Sequence, residues 1–406
     1  MKIDRLRDWA NIPAAVLLSC VLAAGAARPA ASAEVAAAVL RVDYPALLPI
    51  SRLDLPPPDL GFAGAALATE DNLTTGGFLG HSYEIHTVAT DPEGARAAFD
   101  RLVAEGYRII VVLARSGELL AFADAAPEGT LLLNARATDE TLRSGECRAN
   151  VLHVAPSDQM LSDALAQFLV WKRWDDWLLI HGSHPEDRAL AAAYEASATK
   201  FGARIAEARE FVDTGGARVS DSGYVQVQRQ IPVFTQEAAE HDVVVAADAS
   251  DVFAPYLPYQ TWEARPVTGS AGLRPVTWHP AHEAYGATQM QNRFEELAGR
   301  PMREEDYQAW LALRVVGEAV TRTNSGDPVA IRDYALGPDF ELAAFKGQPV
   351  TFRDWNGQLR QPILLTDGRI TVSLSPQEGF LHQVSPLDTL GLDRPESDCT
   401  AFGGDE

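Results

Sequence analysis

A chain of 406 residues with 47% apolar and 22% charged residues has a globular composition and room for two domains. Its 56 acidic residues against 34 basic ones leave a net charge of −22, which argues against a grip on nucleic acid or on anionic membrane surfaces. No phosphate loop, dinucleotide GxGxxG, zinc HExxH or serine elbow GxSxG occurs, so no nucleophile–base pair or cofactor cradle can be named. The expectation is a protein that is not an enzyme and carries no cofactor.

The N-terminus has the order of a secretory signal peptide over residues 1–33. Lys2, Arg5 and Arg7 precede an apolar stretch over 12–27, and Ala31-Ser32-Ala33 offers small residues for cleavage before Glu34. Cleavage would remove four basic residues (Lys2, Arg5, Arg7, Arg28) and two acidic ones (Asp4, Asp8), taking the charge from −22 to −24. It would leave Cys147 and Cys399, which in an oxidising compartment read as one disulfide, with two unpaired thiols as the alternative.

From Leu40 onward, helical patterns alternate with short continuous apolar runs over 109–113, 131–133, 177–180 and 243–247. Such runs suit strands covered on both faces, and helices between them imply βαβ units with parallel sheets. A first strand is expected over 39–43. Helices are expected over 59–75, 92–105, 158–172, 185–201 and 304–323. Asp59, after Pro56-Pro57-Pro58, reads as the N-cap of the first helix, and Gly76-Gly77 as its end. Phe78 and Leu79 would fold back on that end, Gly80 would turn the chain, and a strand would follow over 82–88. The aromatic, Gly- and Pro-rich stretch 256–282 suggests extended crossing segments. Asn356-Gly357 marks a hairpin turn between 350–352 and 362–365.

Asp213-Thr214-Gly215 and Asp221-Ser222-Gly223 mimic the aspartic-protease triplet, but both lie in one loop of an α/β chain and read as coincidence. The pairs His181/His184 and His279/His282, with Glu186, Asp187 and Glu283 near them, could bind a transition metal; the plainer reading is two loops whose ring nitrogens bond backbone or water.

Several stretches, in order, resemble the type I periplasmic solute-binding proteins, in particular the leucine/isoleucine/valine-binding branch. "GFAGAALATEDNLTTGGFLGHSYEI" resembles the first helix and its Gly-Gly-x-x-Gly link into a strand, and Asp91-Pro92 the next helix start. "LLLNARATDETLRSG" resembles the ligand-holding loop of lobe 1, and "LLIHGSHPEDRALAAAY" the first strand and helix of lobe 2. "YQAWLALRVVGEAVTRTNSGDPVAIRDYAL" and "VTFRDWNGQLRQPILL" resemble the late helical pair and the closing hairpin. The resemblance covers residues 40–388 and is nearest to a subgroup associated with quinoprotein, PQQ-dependent alcohol oxidation.

That resemblance implies an α/β fold of two lobes, each a parallel sheet flanked by helices, joined by three hinge crossings. Lobe 1 would be 34–155 plus 284–346, lobe 2 would be 156–283 plus 347–388, and 389–406 a C-terminal tail. It implies a periplasmic substrate-binding component that captures a small organic solute for an ABC transporter permease in the inner membrane, with a ligand sensor or a metal-binding protein as alternatives. Partners are then the ligand, the permease and a quinoprotein alcohol oxidation system, with no nucleic acid.

Ligands of open α/β sheets sit beyond the carboxyl ends of the strands. The residues expected there are Arg115, Ser116, Ala135, Arg136, Ala137, Thr138, His184, Glu186, Asp248 and Ser270. Ser116 and Thr138 are candidates for the serine and threonine that amino-acid binders of the branch use. The closing tyrosines of lobe 2 fall instead near Glu186 and Ala246-Ala247, and no acid near Ser270 can take an ammonium, which points away from amino acids. Arg115 and Arg136 each follow an apolar strand, so either could anchor a carboxylate, with Trp262 or Trp278 as an apolar wall. The alternative turns both arginines outward onto Glu118, Asp139 or Glu140. A bridge from Cys147 to Cys399 would tie the tail to lobe 1.

Overall fold

The structure is a computed structural model that describes residues 32–45, 49–215 and 224–403. The basic and apolar parts of the signal segment and the 221–223 triplet lie outside them. In chain order the elements are β1 (Glu34–Val42), α1 (Phe62–Gly76), β2 (Ser82–Thr90), α2 (Ala95–Ala104), β3 (Ile109–Leu113), α3 (Ser116–Ala125), β4 (Leu131–Asn134) and β5 (Val151–His153). Then come α4 (Asp158–Trp171), β6 (Asp176–Gly182), α5 (Pro185–Phe201), β7 (Arg204–Phe211), α6 (Tyr224–Phe234), β8 (Val243–Ala247), α7 (Leu257–Gln260), β9 (Val267–Gly269) and β10 (Arg274–Val276). The chain finishes with α8 (Ala287–Ala298), α9 (Glu304–Thr323), α10 (Pro328–Leu336), β11 (Thr351–Phe352), β12 (Leu359–Arg360), β13 (Ile363–Thr366) and β14 (Thr371–Ser375).

Two parallel sheets organise these elements into two lobes. The first has the order β2-β1-β3-β4-β5 and the second β7-β6-β8-β9. Every residue of β3, β4 and β8 is buried, which is why these strands read as unbroken apolar runs. On one face of the first sheet, Val39, Val111 and Leu133 pack against Leu67 of α1, Phe294 of α8 and Trp310 of α9. On the other, Leu40, Val112 and Leu132 meet Phe99 of α2 and Phe122 of α3. The second sheet is sandwiched likewise, by α6 on one face and by α4 and α5 on the other. A small antiparallel sheet, β10-β13-β14, extends the second lobe, with Leu365 in its core.

The first helix departs from expectation at both ends. It begins after Gly61, whose N–H donates to the buried Asp306 carboxylate; the Asp59 side chain is instead held by Arg300 at 2.9 Å. Gly76 and Gly77 stay right-handed and the chain continues through one 3-10 turn, so Gly80 (φ 79°) is the residue that reverses it. Phe78 does not fold back; it is 92% exposed. Gly64 has a packing role, since a Cβ there would sit 1.9 Å from the Asp306 carbonyl oxygen of α9.

Three passages join the lobes. They run between Val154 and Leu165, between Val276 and Trp278, and between Leu359 and Leu365. The turn at Asn356-Gly357 forms as expected, but its second strand is β12, not 362–365, which joins the antiparallel sheet. Val350, Phe352 and Leu359 pack in the first lobe's core, although the sequence division assigned residues from 347 onward to the second. Among the described residues no helix is long and apolar enough to cross a membrane.

Candidate functional site

Parallel pairing sets Arg41 level with Leu113 and Val112 level with Asn134, so β1, β3 and β4 release their loops at one edge. Tyr44, Arg115 and Arg136 therefore meet there. The Tyr44 hydroxyl accepts the Arg115 backbone N–H at 2.8 Å and donates to Glu118 Oε2 at 2.7 Å. Burial, reinforced by Glu118, pushes the phenol up to about 12, so it keeps its proton and remains a donor. The Arg115 guanidinium lies 4.4 Å from the ring centroid and that of Arg136 5.2 Å. Both guanidinium groups are thus within cation–π reach of one phenol ring.

Among the described residues neither guanidinium has a carboxylate partner. Arg136 Nη1 donates to the Val42 carbonyl at 3.3 Å. Of the acids expected to neutralise the pair, Glu118 serves Tyr44 and Asp139 accepts the Ser116 hydroxyl. Glu140 is buried near Ser157 and Arg143, its carboxyl pushed up by burial. The outward-paired alternative is therefore not what the chain adopts.

The loop after β4 is shaped by Asn134, which sequence reading missed. Its Oδ1 accepts the N–H groups of Arg136 and Ala137, and its Nδ2 donates to the Ala137 carbonyl. Ala135 and Ala137 bury their methyl groups in the cores on opposite faces of the sheet, so they contribute backbone alone to this edge. Thr138 is committed to the first passage between lobes: its carbonyl accepts the Asp158 N–H at 3.0 Å, and its side chain opposes the rise of the Asp158 carboxyl.

Burial raises the Asp158 carboxyl from an ordinary 3.8 to about 6, with Asp139 and Glu140 adding to the rise and Thr138 and Arg143 opposing it. The folded state thus holds this proton more tightly than the unfolded chain. Its contribution to stability is complete below pH 3.8 and is lost as pH rises through about 6. Asp158→Asn is expected to flatten the fall in urea midpoint between those pH values; a slope unchanged from wild type would refute the assignment.

At the facing edge, β6 ends at Gly182, and His184 two residues on is the N-cap of α5. Its Nε2 lies 2.9 Å from Asp213 Oδ2, and that hydrogen bond raises the imidazole above its usual range. Asp213, set aside at the sequence level as a chance triplet, is thus part of this edge. Glu186 is exposed beside it. Asp248 is turned inward: its carboxylate accepts the N–H groups of Val252, Phe253 and Ala254, and Ser270 Oγ accepts its own N–H. Neither Trp supplies the expected wall. Trp278 is buried, stacked on Tyr307 at 4.9 Å, and Trp262 lies against Thr235, beyond the end of α6.

The histidine pairs do not converge. His181 Nδ1 bonds the Gly182 carbonyl, and His282 bonds the Phe345 carbonyl and the Thr371 hydroxyl. Among the described residues no group of three His, Cys, Asp or Glu could hold a metal ion.

Two α/β lobes whose strand ends carry the polar residues described above define a two-lobed ligand-binding protein. The family model described as periplasmic binding protein matches residues 60–369, and the chain belongs to that family. It is therefore a periplasmic binding protein, and the family implies a periplasmic location. Among solved structures it is similar to a branched chain amino acid ABC transporter periplasmic ligand-binding protein from Burkholderia xenovorans. Identity is 15%, coverage is 91% of this chain and 100% of that one, and the TM-score is 0.68. A solute binding protein of an ABC transporter from R. palustris, in complex with benzoate, is 13% identical over 91% of this chain and 99% of that one, with a TM-score of 0.60. A leucine binding protein from Thermotoga maritima is 18% identical over 84% and 97%, with a TM-score of 0.54. No curated sequence relative matches the chain.

Proposed function

We propose that this protein captures a small organic carboxylate between its lobes and presents it to an ABC permease of the inner membrane. The observation that carries this reading is the pair of guanidinium groups, Arg115 and Arg136, gathered on Tyr44 without a carboxylate partner in a chain of charge −22. Guanidinium keeps its charge at every working pH and binds a carboxylate through two parallel hydrogen bonds. The benzoate bound by the R. palustris relative is consistent with a carboxylate, although at 13% identity it speaks to fold alone. Resemblance to the quinoprotein-associated subgroup makes that carboxylate the product of alcohol oxidation. Lobe 1 is then 34–155 with 284–346 and the hairpin that packs on it; lobe 2 is 156–283 with the antiparallel strands.

A thermal-shift series comparing carboxylates with their parent alcohols and with leucine tests the reading. A ligand at 100 times its Kd stabilises by about 2.7 kcal/mol, so the acids are expected to raise Tm and the alcohols to leave it unchanged. Response to leucine alone contradicts it. Export by signal cleavage is part of the proposal: mass spectrometry of periplasmic protein should show a chain beginning near Glu34. A full-length chain in the membrane fraction would overturn that part.

A further inference from the structure

The C-terminal tail makes a fourth passage between the lobes. Leu390 packs with Met160 and Ala164 of α4 and with Ile363. Gly391 donates its N–H to Asp163 Oδ2 and its carbonyl accepts Lys200 Nζ, both at 2.8 Å, so the tail is fixed to α4 and α5 of the second lobe. Six residues later it is fixed to the first. Ser397 Oγ donates to the Arg143 carbonyl at 2.8 Å and the Asp398 N–H donates to Ser144 Oγ at 2.9 Å. Cys399 is bonded to Cys147, and Phe402 packs on the first lobe's core beside Gly357.

Little slack separates these anchors. The intervening residues include a 3-10 turn over Arg394–Glu396, capped by the Asp393 carboxylate, which shortens their reach below the extended limit of about 3.3–3.6 Å per residue. Arg353, from the hairpin that packs on the first lobe, donates to the carbonyls of Leu390 and Leu392 and holds the start of the strap.

We propose that this tail is a brace that limits how far the lobes open, with the Cys147–Cys399 bond as its closing link. Three passages of single chain permit hinge rotation. A fourth, closed covalently, removes the orientations in which the Gly391 and Cys399 anchors move apart. The lobes then remain near the geometry in which both touch ligand. The brace rests on the two-lobed clamp, but it acts without ligand and is tested without it.

Spin labels on non-native residues at exposed Glu93 and Ala189 report the distance between lobes in the full chain. The oxidised protein is expected to give a narrow distribution. Cys147→Ser with Cys399→Ser should broaden it and add a tail at longer distance, and so should reduction of the native bond, with alkylation of Cys399 confirming release. Superimposable distributions in the released and oxidised forms overturn the brace. If the double variant does not fold, the reduced native chain carries the test. Sucrose, which is excluded from the protein surface, keeps the released chain folded during the measurement, because loss of the bond lowers stability by itself.

Discussion

Replacing Cys147 and Cys399 by serine is expected to lower the unfolding free energy by about 5 kcal/mol, the chain-entropy value for so long a closed loop. The bonded residues are 252 positions apart, so the bond links the tail to the first lobe across more than half of the chain. Without the bond, the unfolded ensemble regains the freedom of that loop while the folded state loses few other contacts. The measurement is the urea midpoint of oxidised wild type against the double variant. A midpoint unchanged by the substitution would mean that the unfolded chain is already compact enough for the link to be redundant.

Asp388→Ala should be similarly severe. Asp388 is 5% exposed and accepts from Arg353 Nε and Arg360 Nε, each at 2.8 Å; Arg353 itself is 1% exposed. Burial already pulls the Arg353 guanidinium below its usual range, with Asp388 opposing that fall. Removing the carboxylate leaves two cations facing one another in a largely buried site, a change that costs about 3–5 kcal/mol. Glu378→Ala, at an exposed position, provides the reference. Equal midpoints for the two variants would show that water or another group takes over the pairing.

Strands covered on both faces were legible because burial leaves no room for polar alternation: Ile109–Leu113 and Val243–Ala247 have the bounds their apolar runs predict. Pro185–Phe201 and Glu304–Thr323 were legible too, the former because proline suits a first helical turn. Elsewhere tertiary contacts decided. Asp59 has the chemistry of an N-cap, but Arg300 takes its carboxylate, and no local rule could find a partner that far along the chain. Gly76 and Gly77 permit a left-handed turn without requiring one.

The candidate site divides in the same way. Arg115 and Arg136 were found because each follows an apolar strand. Tyr44 was not, since its contact with both depends on the register of three strands separated along the chain. Asp248 sits at the right edge and looks like a ligand contact, yet its carboxylate is spent on three backbone N–H groups. Only the direction of a side chain separates a cap from a binding group, and sequence spacing does not carry that direction.

In the proposed function the Arg115–Arg136 pair anchors a carboxylate. Isothermal titration of benzoate, or of the carboxylate with the largest thermal shift, into wild type, Arg115→Ala and Arg136→Ala tests it most directly. At least one substitution is expected to weaken binding tenfold or more, about 1.4 kcal/mol, while the parent alcohol binds more weakly than the acid to wild type. Both variants binding the acid as tightly as wild type, or leucine binding tighter than any carboxylate lacking an amine, would contradict it.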